Sequence, residues 1–151
     1  MKKQKGFSLI ELLIVVAIIL IIAAIAIPNL LRSKMAANEA SAVGSLRSLN
    51  TACVTYSTTY GSYPTALSQL GPAATATSTT ADLIDSVLAG GTKSGYTFTL
   101  AAGATSGTTY TITAVPVTLG TTGQRAFFTN QSGVIRANTT GTSPAVTDPP
   151  L

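Results

Sequence analysis

Histidine is absent from this 151-residue chain. The usual general base at neutral pH and the commonest zinc ligand are therefore missing. Cys53 is the only cysteine, which excludes an intrachain disulfide. Charged side chains make up 9% of the residues, and only five of them are acidic. Asp82 and Asp85 lie three apart on a predicted short helix and read as a solvated face or an N-terminal charge preference. Asp148 is remote from both. A calcium site gathers several oxygen ligands, and the acid-poor sequence after Asp85 offers little for one. Gly120-Thr121-Thr122-Gly123 lacks the lysine and the following helix that a phosphate loop requires. No catalytic residue, metal site or cofactor is expected, and the chain does not read as an enzyme.

The formal net charge of +4 is also thin evidence for a nucleic-acid partner. With Lys2, Lys3 and Lys5 set aside, six basic residues face five acidic ones. Arg125 and Arg136, expected as cross-strand neighbours on a terminal hairpin, are too small a footprint for DNA. Aromatic side chains are few and placed for packing.

Threonine is missing from the first fifty residues and abundant from Thr51 onward. The mean hydropathy of +0.42 averages these two unlike parts. From Leu12 to Ile27 every residue is apolar, and back to Phe7 only Ser8 and Glu11 interrupt the run. As a helix rising about 1.5 Å per residue, that run is roughly 31 Å long and spans a bilayer core. Glu11 inside it costs on the order of 2.5–3.5 kcal/mol in lipid, so a partner is expected for its carboxylate. Lys2, Lys3 and Lys5 hold the preceding end on the cytoplasmic side. Pro28 removes a helix donor and is expected to kink or loosen the helix.

Lys5-Gly6-Phe7-Ser8-Leu9-Ile10-Glu11, followed by the unbroken apolar run, resembles the type IV prepilin signature. Type IV pilins and type II secretion pseudopilins share it. The resemblance implies cleavage after Gly6 by a prepilin peptidase and N-methylation of the new amino terminus at Phe7. It also implies that the apolar helix is first a membrane anchor and then the core of a helical filament. In that core Glu11 must be neutralised or paired. The Phe7 amine of a neighbouring subunit is the cation at hand, which gives the pair a role in setting register. Many type IV pilins close a C-terminal loop with two cysteines; Cys53 alone cannot do so.

Beyond Pro28 the helical pattern resumes. Val43, Leu46, Leu49, Cys53, Tyr56 and Tyr60 form one stripe, with Ser45, Arg47, Ser48 and Asn50 mostly elsewhere. One helix is predicted from about Ser8 to Tyr60. Gly61-Ser62-Tyr63-Pro64 stops it. A short helical turn is predicted over Thr65–Leu70, an exposed loop over Ala73–Ala81, and a second short helix over Asp82–Ala89 capped by Thr80. Alternation at Tyr96–Leu100 and Tyr110–Thr113, and the pair Arg125–Thr129 and Val134–Ala137 joined at Asn130–Gly133, predict about four antiparallel strands. Residues 138–151 read as irregular.

The expected fold is α+β and pilin-like: a long N-terminal helix whose C-terminal half packs on a small antiparallel sheet. Residues 1–6 form a leader, 7–28 a membrane or filament-core helix, 29–60 an amphipathic continuation, and 61–151 a β-rich periplasmic or extracellular domain. The expected function is that of a prepilin, the structural subunit of a type IV pilus-like filament. Its partners are copies of itself, the prepilin peptidase and methyltransferase, and a pilus or secretion assembly platform. The precursor sits in the inner membrane. A secretion pseudopilin is the close alternative, and a non-assembling single-span protein the more distant one.

Overall fold

The computed structural model describes residues 6–103 and 107–151 and comprises two units, Met1–Lys34 and Met35–Leu151. Lys2, Lys3 and Lys5 of the expected leader lie outside the described residues. One helix, α1, is assigned from Leu9 to Tyr60 and belongs partly to each unit. The helix assignment continues through Pro28 without interruption.

In the first unit α1 is apolar all round from Leu12 to Ile27 and uncovered. Its large side chains from Leu9 to Ile27 are all exposed. A helix with this composition is stable only against lipid or other apolar helices. It is long and apolar enough to cross a membrane.

In the second unit the remainder of α1 is followed by a 3₁₀ turn at Leu67–Leu70, a one-turn helix α2 at Ser86–Ala89, and five strands. These are β1 (Thr92–Lys93), β2 (Tyr96–Ala102), β3 (Tyr110–Pro116), β4 (Ala126–Asn130) and β5 (Arg136–Asn138). They form an antiparallel meander in the order β1-β2-β3-β4-β5. The α+β architecture and the alternation are those expected. Tyr96, Phe98 and Leu100 are buried while Thr97 and Thr99 face out, and Tyr110, Ile112 and Ala114 are buried in β3. These side chains share one core with Ala42, Leu46, Leu49, Cys53 and Tyr56 of α1. Tyr63 and Tyr110 pack at 4.8 Å between ring centroids, and Tyr96 and Phe127 at 5.9 Å.

Four details differ from the sequence-based expectation. The sheet has a fifth strand, because Ser94 (φ 50°) and Gly95 (φ 73°) make a two-residue turn that pairs Lys93 with Tyr96. The second helix starts at Ser86, not Asp82. Asp82 has φ 53°, outside the helical region, and Asp85 is the cap, its Oδ1 accepting from the Leu88 amide at 2.8 Å. Ser45, assigned away from the apolar stripe, is buried. Arg125 and Arg136 are not cross-strand neighbours: Phe128 faces Arg136, which leaves Arg125 beyond the paired rungs.

The irregular C-terminal segment returns to the sheet. The Ala137 amide donates to the Pro149 carbonyl, the Leu151 amide donates to the Ile135 carbonyl, and Arg136 bridges Pro150. Asp148 ties this segment down. Its Oδ1 accepts from Asn138 at 3.1 Å, its Oδ2 from the Ala145 amide at 2.7 Å, and its carbonyl from Arg136 at 2.9 Å. These bonds do locally what a disulfide cannot do in a chain with one cysteine.

Candidate functional site

The residues singled out at the N-terminus are local to one another. Gly6 has open space around its Cα, and Phe7 is 81% exposed. Ser8 stands just before α1, with its carbonyl accepting from the Leu12 amide at 3.3 Å. The Ser8 amide donates to Glu11 Oε2 at 2.9 Å. That contact is one half of a capping box, in which the third helical residue reaches back to the cap amide. The spacing Ser8-Leu9-Ile10-Glu11 carries this signal in the sequence, and the membrane argument alone missed it. Glu11 thus has a partner within its own chain, and among the described residues its other carboxylate oxygen carries no such bond.

The first-unit surface is a sleeve of exposed Leu, Ile and Val from Leu9 to Ile27, with Glu11 the one carboxylate in it. Such a surface offers no chemistry. It offers area, and about 25 cal/mol is gained for each Å² of apolar surface removed from water.

In the second unit the polar contacts that matter join α1 to the β3–β4 loop, and the apolar-stripe reading missed them. Glu39 is buried and takes four donors from one loop. Its Oε1 accepts from the Gln124 amide at 2.9 Å and the Arg125 amide at 3.1 Å, and its Oε2 from Arg125 Nε at 2.9 Å. Arg125 Nη2 completes the ion pair at 2.8 Å, and the guanidinium lies 5.6 Å from the Phe127 ring centroid. Burial pushes the Glu39 carboxyl upward, but the amide and guanidinium donors outweigh it and hold the carboxyl below its ordinary value. Asn38 Nδ2 donates to the Thr122 carbonyl at 2.9 Å beside it. Asn50 donates to Thr129 Oγ1 at 2.9 Å and accepts from the Tyr110 hydroxyl at 3.1 Å. The sequence does hold a signal for Glu39. The spacing Glu39, Ala42, Leu46, Leu49, Cys53, Tyr56 steps by three and four, so Glu39 extends the buried stripe backwards.

Cys53 is fully buried, and burial pushes its thiol up to about 12. It packs as a small apolar side chain and not as a nucleophile. Among the described residues no three acidic or cysteine side chains gather in a way that could hold a metal ion.

The family comparison falls on the same N-terminal features. Residues 1–27 match the prokaryotic N-terminal methylation motif. The chain is 62% identical over 39 residues to the type IV wide pilus major component PilA4 of Thermus thermophilus, covering 26% of this chain and 30% of that one. It is 40% identical over 65 residues to type II secretion system core protein G of Vibrio cholerae, covering 43% and 44%. It is 50% identical over 50 residues to the type IV major pilin protein PilA of Myxococcus xanthus, covering 33% and 23%. The chain thus spans less than half the length of each of these relatives. It carries the methylation motif of prepilins, and its relatives are structural pilins and pseudopilins.

Proposed function

We propose that this chain is a prepilin-type structural subunit whose mechanism is assembly. The observation that carries the reading is the uncovered apolar helix from Leu9 to Ile27 with Glu11 as its one carboxylate, on a segment matching the methylation motif. A precursor anchored by this helix sits in the inner membrane with residues 1–6 on the cytoplasmic side. Cleavage between Gly6 and Phe7 by a prepilin peptidase suits a glycine with open space around it and an exposed phenylalanine. The new Phe7 amine is then N-methylated.

During assembly the helices move from lipid into contact with one another. The apolar surface changes partner and not polarity, so little hydrophobic energy separates the two states. Selectivity comes from Glu11. Its second oxygen pairs with the Phe7 amine of a neighbouring copy, and the mismatch of any other register leaves a buried charge. Pro28, which lacks an N–H, supplies a point where α1 can kink or loosen on entering the filament. Residues 7–28 form the filament core, 29–60 lead into the globular part, and 61–151 coat the outside. The partners are further copies of this chain, the processing enzyme and an assembly platform.

The match to the secretion core protein extends over a longer stretch than the match to the PilA4 component, 65 residues against 39. That favours keeping a periplasmic pseudopilus as the second reading. Mass spectrometry of the mature chain tests the processing step, with Phe7 as the methylated first residue expected and an intact Met1 terminus refuting it. Filaments containing this chain in the fraction sheared from cells separate pilus from pseudopilus.

A further inference from the structure

The second unit carries very few charges, and most of them find partners within it. It contains four cations, Arg47, Lys93, Arg125 and Arg136, and four anions, Glu39, Asp82, Asp85 and Asp148. Arg125 pairs with Glu39 at 2.8 Å, and Lys93 pairs with Asp85 at 2.9 Å. Arg136 and Asp148 are joined through the Asp148 carbonyl, whose carboxylate holds Asn138 and Ala145. One cation and one anion remain. The side chains of Arg47 and Asp82 make no hydrogen bond or ion pair among the described residues, and both are exposed.

The two lie on different flanks of α1. Arg47 lines a groove with Ala36, Val43 and Leu151 beside the Glu39–Arg125 pair, and continues into a second with Val134 and Ile135. The Asp82 loop borders the other flank, where Leu83 and Ile84 face Ser41, Gly44 and Ser48 of α1. Each lone charge therefore sits beside partly apolar surface. Asp82 is also held rigidly. Its amide donates to the Gly71 carbonyl at 2.9 Å, the Ala81 amide to Gln69, and the Leu83 and Ile84 amides to Leu70. This backbone clasp maintains Asp82 at φ 53°, a conformation that aspartate tolerates better than most residues but that still carries strain. A fixed, exposed carboxylate loses little freedom on meeting a cation.

We propose that Arg47 of one copy pairs with Asp82 of the next, as the side-by-side contact between globular domains. The occupant of the Arg47 flank is a second copy of this chain, chosen by charge complementarity. A contact between two different patches is heterologous, and one that does not close on itself generates an open helical filament. The pair contributes register and rejection of wrong neighbours more than energy, because an exposed ion pair is weak while like charges brought together are strongly disfavoured. The proposal rests on the filament reading above and names its outer contact.

Charge reversal tests it in cells expressing the full chain. Arg47→Asp and Asp82→Arg each place like charges in the contact, and sheared filament falls about tenfold. The double reversal restores it. Because neither side chain has a partner among the described residues, immunoblots still show precursor in the membrane for all three. The neutral variants Arg47→Gln and Asp82→Asn give intermediate yields and guard against a folding defect. Full-length Arg47→Cys with Asp82→Cys, treated with a bifunctional maleimide, gives a ladder of multimers that neither single variant gives. Absence of filaments in the unaltered protein refutes the filament reading. Normal yield from both single reversals, or a double reversal as poor as the singles, overturns the Arg47–Asp82 contact while leaving that reading intact.

Discussion

Removing the Glu39 side chain should destabilise the globular unit by about 2–4 kcal/mol. The figure has two parts. The ion pair itself is worth only about 1 kcal/mol, because the Arg125 side chain is 42% exposed while that of Glu39 is 11% exposed. The larger part comes from the Gln124 and Arg125 amides, which lose their acceptor when Glu39 becomes alanine. A fully buried donor left without a partner costs about 1–3 kcal/mol, and these two are part-buried. Gln124 is exposed and Arg125 half-buried, which keeps the total at the lower end of a simple sum. Glu39→Gln retains an oxygen for the amides and loses the charge, so it should cost about 1 kcal/mol. Urea unfolding of the full chain in detergent micelles, followed by near-ultraviolet dichroism of the buried tyrosines, measures both. Glu39→Ala within 0.5 kcal/mol of the parent, or Glu39→Gln as damaging as Glu39→Ala, would refute this account.

The pH dependence follows from the same carboxylate. Its folded value lies below its unfolded one, so the stabilisation is present above the ordinary carboxylate range. It is lost as pH falls through that range towards the folded value. Glu39→Gln removes this component, and its stability curve should be flatter in mild acid than that of the parent.

Other outcomes follow from single contacts. Glu11→Gln keeps the length and the oxygen that accepts from Ser8 but loses the charge. If Glu11 acts by intersubunit pairing, Glu11→Gln and Glu11→Ala both give processed precursor and little filament; normal assembly of the glutamine variant with failure of the alanine variant would assign Glu11 to the helix cap instead. Cys53, with its thiol pushed to about 12, should resist alkylation at pH 8 in the folded chain and react promptly in urea; labelling without denaturant would contradict its burial. Asp148→Ala should release residues 139–147 to limited proteolysis at a stability cost of about 1 kcal/mol, whereas protease resistance equal to the parent would show that the returning backbone alone suffices.

Much of this architecture is written in local pattern. A solid apolar run sets the character of the first half of α1, and three-and-four spacing from Leu46 to Tyr56 sets the buried face of the second. Alternation at Tyr96–Leu100 reports a strand with one face inward. These are legible because periodicity is a property of neighbours in the chain. The short β1 escaped because two residues show no alternation, although Ser94-Gly95 marks its turn. The helix predicted from Asp82 began too early because its apolar content hid the left-handed backbone at Asp82.

The partners of the charges belong to the tertiary structure alone. Glu39 and Arg125 are 86 residues apart, and nothing in the composition couples them. They meet because the meander returns the β3–β4 loop to the start of the buried stripe on α1. Likewise, Arg47 and Asp82 are ordinary surface residues in the sequence. Only after the other charges of the second unit have found partners within the fold do they stand out as its pair without one among the described residues. The sequence by itself determined which stretch is apolar, where α1 ends and which strand faces turn inward, since each depends on side-chain order along a few turns or rungs. Which carboxylate is buried, and which two charges of the second unit have no partner among its described residues, depends on distances across the fold, and only packing decides those.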